Sequence, residues 1–162
     1  MRRLAATAAL LLLSGVSAPG FENELLGRRD VDVPDYQSQQ GALLIDGKGV
    51  ISEFAIDYGQ YKKNFVILLQ KDTGARTKAD APVFEIVQVI RAPKPKDLDM
   101  YSVGCFLKPA TESQDGQYVF AYAAFNPNGQ PRAIKGAWMF DWDKKQIVAV
   151  PQGKGDCPEP GD

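Results

Sequence analysis

The sequence predicts a mainly β fold: a single antiparallel sheet domain, closed as a sandwich or a barrel, with or without one short N-terminal helix packed behind it. Three observations lead to this prediction. Strand-like runs are separated by turns and short loops, the crossover helices that parallel strands need are missing, and the C-terminal third carries a clear hairpin pattern.

The most informative strand is the segment 118–123. Its aromatic residues fall on one face of an extended chain, and its valine and alanines fall on the other. Because both faces are apolar, we expect a strand inside the sheet with a layer packed on each side.

A turn and a return strand follow directly. Residues 126–129 read Asn-Pro-Asn-Gly, in which proline presets φ and glycine accepts a positive φ. The return strand is expected over 132–141, with Ile134, Trp138 and Phe140 on one face. The hairpin is the strongest local prediction in the chain.

The other strands are predicted from runs rich in β-branched and aromatic residues. Segment 50–58 also fits a helix, but its β-branched content favours a strand. Three polar segments, 71–82, 92–100 and 108–116, are expected to be loops. The predicted strands are 50–58, 64–70, 83–90, 101–107 and 147–150, and residues 42–45 form a short apolar run before a turn.

The first twenty residues have the order of a secretory signal peptide. Arg2 and Arg3 precede the apolar run 4–13, and small residues follow as far as Gly20. An apolar run of about ten residues is too short to cross a bilayer as a helix. We therefore expect a periplasmic or secreted protein, cleaved after Ala18 or after Gly20, with no membrane span after cleavage.

Charge argues against nucleic acid as a partner. Loss of Arg2 and Arg3 with the leader lowers the basic residues from 19 to 17, against 20 acidic residues, a net charge of −3. Phosphate binding requires a basic face, and no dense run of positive charge is present.

The mature chain is long enough for one domain with its own core. After the leader at 1–20, we expect a short helix and polar arm at 21–40 and a β domain at 41–162. In an oxidising compartment, the two cysteines, Cys105 and Cys157, are expected to form a disulfide. That bond would pin the C-terminal tail back onto the strand that begins near Tyr101.

Several chemistries lack the residues they need. The chain has no histidine, which excludes Ser-His-Asp and Cys-His catalysis and every zinc site that contains histidine. No glycine-rich phosphate loop is present. The Asp-Gly-Lys-Gly run at 46–49 fails as a calcium loop, because Leu44 and Ala55 would occupy ligand positions. We predict no cofactor and no metal.

Asp141, Trp142 and Asp143 are the weak candidates for a ligand- or partner-binding site. The two carboxylates have a spacing that an acid and base pair could use, but a solvated turn beside Lys144 and Lys145 is the favoured explanation. Trp142 falls in a polar turn, where contact explains an indole better than burial does. Asp97 and Asp99 are interpreted as a solvated loop.

These observations favour an exported, non-catalytic binding or inhibitor-like protein that presents its loops to a protein or small-molecule partner. The first alternative is a hydrolase that uses carboxylates alone. The second is a structural protein of the cell envelope.

Replacement of Cys105 or Cys157 by serine should lower the melting temperature without abolishing the fold. A bond that closes a loop of roughly fifty residues contributes about 4 kcal/mol as an upper estimate. Thermal unfolding in oxidising buffer tests this, with a reduced wild-type sample as the control. Equal melting temperatures of the variant and the oxidised wild type would contradict the pairing.

Overall fold

A computed structural model describes residues 20–46, 48–94, 99–107, 119–125, 131–151 and 155–156. These residues form one short helix, one 3₁₀ turn at Asp30–Asp32 and nine strands. The helix α1 is Glu22–Leu25. The strands are β1 Tyr36–Ile45, β2 Ile51–Tyr61, β3 Asn64–Arg76, β4 Pro82–Ala92, β5 Asp99–Leu107, β6 Val119–Phe125, β7 Pro131–Asp141, β8 Gln146–Ala149 and β9 Gly155–Asp156.

The strands form two antiparallel sheets. The first has the order β1-β2-β3-β4, and the second has the order β8-β7-β6-β5-β9. The mainly β antiparallel prediction is confirmed. The sequence allowed either a sandwich or a barrel. The described residues form a sandwich of two sheets and contain no closed barrel.

The two sheets share one apolar core. Alternation along β2 turns Phe54, Ile56 and Tyr58 toward the second sheet, where they meet Phe120 of β6 and Phe140 of β7. Each of these five side chains is buried. The described part of the aromatic face expected for segment 118–123, Phe120 and Tyr122, therefore lies in the core between the sheets.

The segment 50–58 is a strand, as its composition indicated, because β2 pairs with β1 on one side and β3 on the other. The segment 71–82 differs from the prediction of a loop. β3 continues to Arg76, which pairs with Pro82 at the start of β4. The polar residues belong to the exposed end of a hairpin, held by a hydrogen bond from Thr73 Oγ1 to the Val83 carbonyl at 2.7 Å.

A bulge changes one face of β7. Tyr122 pairs with Gly136, but its neighbour Ala123 pairs with Ile134, so Lys135 is the extra residue. Ile134 consequently packs beside Ala137 in the outer cluster of this sheet. The sequence placed Ile134 on the face of Trp138 and Phe140, because strict alternation cannot anticipate a bulge.

The N-terminal segment covers the outer face of the first sheet. Leu25 of α1 and Val33 are buried against side chains of β2, β3 and β4. Two backbone hydrogen bonds, from Gly27 N–H to the Ile86 carbonyl and from Ile86 N–H to the Arg28 carbonyl, fasten the segment to β4. β1 begins at Tyr36, inside the region assigned to the polar arm.

The tail returns to β5, where Phe106 pairs with Asp156 and Leu107 pairs with Gly155. Cys105 precedes Phe106 in β5, and Cys157 follows Asp156 in the sequence. Cys157 lies outside the described residues, and the disulfide stays a prediction.

Three further predictions also fall outside the described residues, namely most of the leader, the loop at 108–116 and the turn at 126–129. The strands on either side of that turn do pair antiparallel. Within the described part of the chain, no helix has the length and apolar character needed to span a bilayer.

One side chain joins the sheets by hydrogen bonds. Gln88 of β4 donates from Nε2 to the Ile147 carbonyl of β8 at 3.0 Å, and its Oε1 accepts from the Ile147 N–H at 2.7 Å. These two bonds satisfy the backbone groups of Ile147 at the rim of the core. The amide therefore fixes β8 against the edge of the first sheet.

Gln88→Ala should destabilise the protein by about 1–3 kcal/mol, because both backbone groups of Ile147 lose their partner. The loss of stability in Gln88→Glu should be smaller than in Gln88→Ala, because glutamate can still accept from the Ile147 N–H but cannot donate to the Ile147 carbonyl. Urea unfolding measures both. The control is Gln60→Ala, which removes an exposed hydrogen bond to the Lys62 carbonyl. If Gln88→Ala lowers the free energy of unfolding no more than Gln60→Ala does, Gln88 does not fix β8 against the first sheet.

Candidate functional site

A cavity of about 460 Å³ lies on the outer face of the first sheet, on the side away from the core between the sheets. Its walls come from all four strands and from the 3₁₀ turn at Asp30–Asp32. The lining residues combine two carboxyls, other polar groups and apolar side chains: Asp30, Tyr36, Ser38, Gly41, Ala42, Leu43, Ala55, Ile56, Asp57, Gln70 and Phe84.

Strand alternation places Asp57 at this cavity. With Ile56 and Tyr58 turned into the core, Asp57 has to face outward, and it pairs with Gly41 across the β1–β2 ladder. A Cβ atom on Gly41 would lie 3.3 Å from Asp57 Oδ1. The absence of a side chain at Gly41 therefore leaves room for the carboxyl group.

A second glycine allows Tyr36 to reach the site. A Cβ atom on Gly59 would come within 2.5 Å of the Tyr36 hydroxyl, closer than real Cβ contacts allow. Gly59 thus permits the Tyr36 ring to lie flat across β2 and to bring its hydroxyl toward Asp57.

Asp57 is a buried acid, with only 8 % of its surface exposed. The Ser38 hydroxyl donates to its Oδ1 at 2.8 Å. Burial raises the pKa of Asp57 above its ordinary value; the contacts with Ser38 and Tyr36 oppose the rise, and the nearby charge of Asp30 adds to it. A carboxyl kept away from water in this way is unusual in a strand whose role is purely structural.

Two neutral polar groups at the cavity lack partners. The Tyr36 hydroxyl lies close to Asp57, but it is buried and makes no hydrogen bond of acceptable geometry with any described residue. Burial, followed by the charge of Asp57, raises the pKa of Tyr36. Gln70 is only 6 % exposed, lines the cavity, and makes no side-chain hydrogen bond with any described residue.

Asp30 brings the second carboxyl to the cavity from the N-terminal segment. Its Oδ1 accepts from the Phe84 N–H of β4 at 3.0 Å and from the Val31 N–H at 2.9 Å. These bonds fix the position of the carboxyl and leave Oδ2 without an assigned donor among the described residues.

The residues singled out from the sequence lie elsewhere, since none of them lines this cavity. Asp141 caps the turn: its Oδ1 accepts from the N–H groups of Asp143 and Lys144, and its Oδ2 from Lys144 Nζ at 2.9 Å. The Lys144 contact lowers the pKa of Asp141, and the side chain of Asp143 is exposed. This arrangement matches the solvated turn that the sequence left open.

Trp142 is partly buried and packs against the core between the sheets. Its ring meets Phe140 edge to face, with centroids 4.8 Å apart and planes at 89°.

Asp99 begins β5, whereas Asp97 lies outside the described residues. Asp46, in the glycine-rich run, accepts from the N–H groups of Lys48 and Val50 and so closes the β1–β2 hairpin.

The sequence did contain a signal for Asp57. It is an acid between the apolar residues Ile56 and Tyr58, and its outward neighbours, Ala55 and Gly59, are both small. Small residues on either side of a charge on one strand face indicate a space left open above it. Gln70, at the end of the apolar run 64–70, gave no comparable signal.

Among the residues that the structure describes, no three Asp, Glu, Cys or His side chains come together as metal ligands would. The cavity is lined by one buried carboxyl, one fixed carboxyl, an amide, two hydroxyls and an apolar wall. Such a set can hold a small polar molecule by hydrogen bonds and charge.

Asp57→Asn should make the protein more stable at neutral pH. A raised pKa means that the folded state binds the proton more tightly than the unfolded state, so stability falls as pH rises from the ordinary value of 3.8 through the raised pKa. Asparagine stays neutral and still accepts from Ser38. Its advantage should therefore disappear as the pH is lowered toward 3.8.

Urea unfolding at several pH values between 4 and 7 would measure this effect, with Asp80→Asn in the exposed β3–β4 turn as the control. A constant difference between wild type and Asp57→Asn over that range would contradict the raised pKa.

Comparison with known proteins adds no relative: no family model, no curated protein and no solved structure matches this chain. The function is therefore argued from the chemistry of the cavity.

Proposed function

We propose that the chain is a small, exported, non-catalytic binding protein, which holds a small polar ligand in the cavity above Asp57. One observation carries the proposal: Gln70 is only 6 % exposed as a residue, lines this cavity, and has no hydrogen-bonding partner for its side chain among the described residues. A buried polar group left unpaired costs about 1–3 kcal/mol, and a ligand that pairs with it removes this cost.

The position of the cavity supports the same function. Its floor is a sheet fixed from behind by the core, and its rim is tied to β4 through Asp30. A site on rigid strands holds its groups in place before the ligand arrives, which favours affinity. The binding surface we propose is therefore the outer face of the first sheet rather than the loops.

A carboxylate-dependent hydrolase is the second candidate. The observation in its favour is that Asp30 and Asp57 line one cavity and that burial raises the pKa of Asp57, as a general acid requires. Against it, Asp30 Oδ1 already accepts two backbone N–H groups. Turnover of chromogenic glycosides by the wild type, lost in Asp57→Asn, would favour the hydrolase.

The binding proposal is tested by NMR with isotope-labelled mature protein and a set of cationic, neutral and anionic molecules of about ten heavy atoms or fewer. We expect at least one class to shift the side-chain amide of Gln70 together with backbone amides near Gly41 and Asp57. Ala55→Met, which fills the cavity, should abolish the shifts.

The matched control is Val87→Met, at an exposed position of β4 that does not line the cavity. It should bind as the wild type does. If no molecule of any charge shifts these signals, or if Ala55→Met binds as well as Val87→Met, the proposed function is wrong.

A further inference from the structure

We infer that the ligand is a small organic cation, an ammonium or guanidinium group on a short apolar stem, held between Asp57, Asp30 and the Gln70 amide. This inference rests on the proposed binding function and adds the chemical class of the ligand.

The charge of the cavity is the first argument. Its two ionisable carboxyl groups, Asp30 and Asp57, carry negative charge when ionised, and no lysine or arginine occurs among its described lining residues. Asp57 is almost completely removed from water, where a charge without a partner is costly and a charge with a partner is well stabilised. A cation is the ligand that relieves this cost, whereas an anion would increase it.

The free hydrogen-bonding positions are the second argument. Ser38 occupies one oxygen of Asp57, and backbone N–H groups occupy one oxygen of Asp30. The second oxygen of Asp30 and the side-chain oxygen of Gln70 therefore have no donor among the described residues, and Asp57 adds its charge beside them. An ammonium group offers three donors and no acceptor, which suits this set.

The apolar wall is the third argument. Leu43, Ala55 and Phe84 line the same cavity, and Leu43 remains 45 % exposed at the edge of the sheet. A short alkyl stem attached to the charged group would cover this surface. A bare metal ion would leave the wall uncovered, and a hard cation needs six or more oxygen ligands.

Binding should depend on pH in a defined direction. The groups that face Asp57 are Asp30 from the 3₁₀ turn and Tyr36 from β1, while Gln70 of β3 and Phe84 of β4 carry no charge. Because a cation prefers the ionised carboxyl, its affinity should rise as pH increases above 3.8 through the raised pKa of Asp57, with release of a proton on binding.

The test compares three probes of equal length: n-butylammonium, n-butanol and butyrate. Titration of the mature protein, followed by the NMR signal of Gln70, should show n-butylammonium binding about tenfold more tightly than n-butanol, with butyrate weakest. Asp57→Asn should reduce the affinity for n-butylammonium about tenfold and remove its pH dependence. Asp80→Asn, which removes one acid from an exposed turn, should change the affinity less than twofold.

A fourth probe distinguishes two sources of the same chemistry. Nα-acetyl-lysine N-methylamide carries the ammonium group and alkyl stem of n-butylammonium on a blocked peptide unit. Affinity equal to or above that of n-butylammonium assigns the site to a lysine side chain of a peptide; much weaker binding assigns it to a free amine. Both results support a cationic ligand.

The inference and the function can fail separately. If n-butanol or butyrate binds at Gln70 more tightly than n-butylammonium, the cationic class is wrong while the binding function stands. The same conclusion follows if Asp57→Asn leaves n-butylammonium affinity unchanged. If none of the probes and none of the wider set binds, the proposed function itself fails.

Discussion

The packing of two apolar sheet faces against each other is the constraint on which the rest of the structure depends. Alternate side chains of β2 point into the core, where Phe54, Ile56 and Tyr58 pack with the aromatic residues of β6 and β7. Once these positions are fixed, the alternate positions of β2 have to face outward. The outward orientation of Asp57 is thus set by the packing of its neighbours in the core, which Asp57 itself does not contact.

The outer face of the first sheet has two regions of different character. One region is covered by Leu25 and Val33 of the N-terminal segment, which complete a second apolar cluster. The other is left open around Asp57, where Gly41 and Gly59 reduce the side-chain bulk and where buried polar groups collect. Grouping polar residues with unmet hydrogen-bonding capacity lowers stability, and proteins accept that loss most often where a ligand restores it.

Sequence patterns predicted the fold well because period-two alternation reports directly on burial. The runs at 64–70 and 83–90 lie within strands of the first sheet, and so does the run at 50–58 except for Val50. The hairpin at 71–82 was missed because its side chains are polar and exposed, so the amino-acid composition of the segment resembles that of a loop. Its backbone nevertheless remains paired as far as Arg76 and Pro82. The site was missed for a different reason. Asp30, Asp57 and Gln70 become neighbours only through strand pairing and through the crossing of the N-terminal segment, and neither is visible in local spacing.

The two sheets differ in connectivity, because β9 returns to pair with β5. In the first sheet, every strand pairs with the strand that follows or precedes it in the chain, so each pairing closes a short stretch of backbone. In the second sheet, β9 is the exception among the described strands, because it crosses back past three others to reach β5. A chain shortened before Gly155 would leave that side of β5 without its described partner, and an unpaired strand edge is a template for self-association. Gly155 and Asp156 thus cover the border of the second sheet at Phe106 and Leu107.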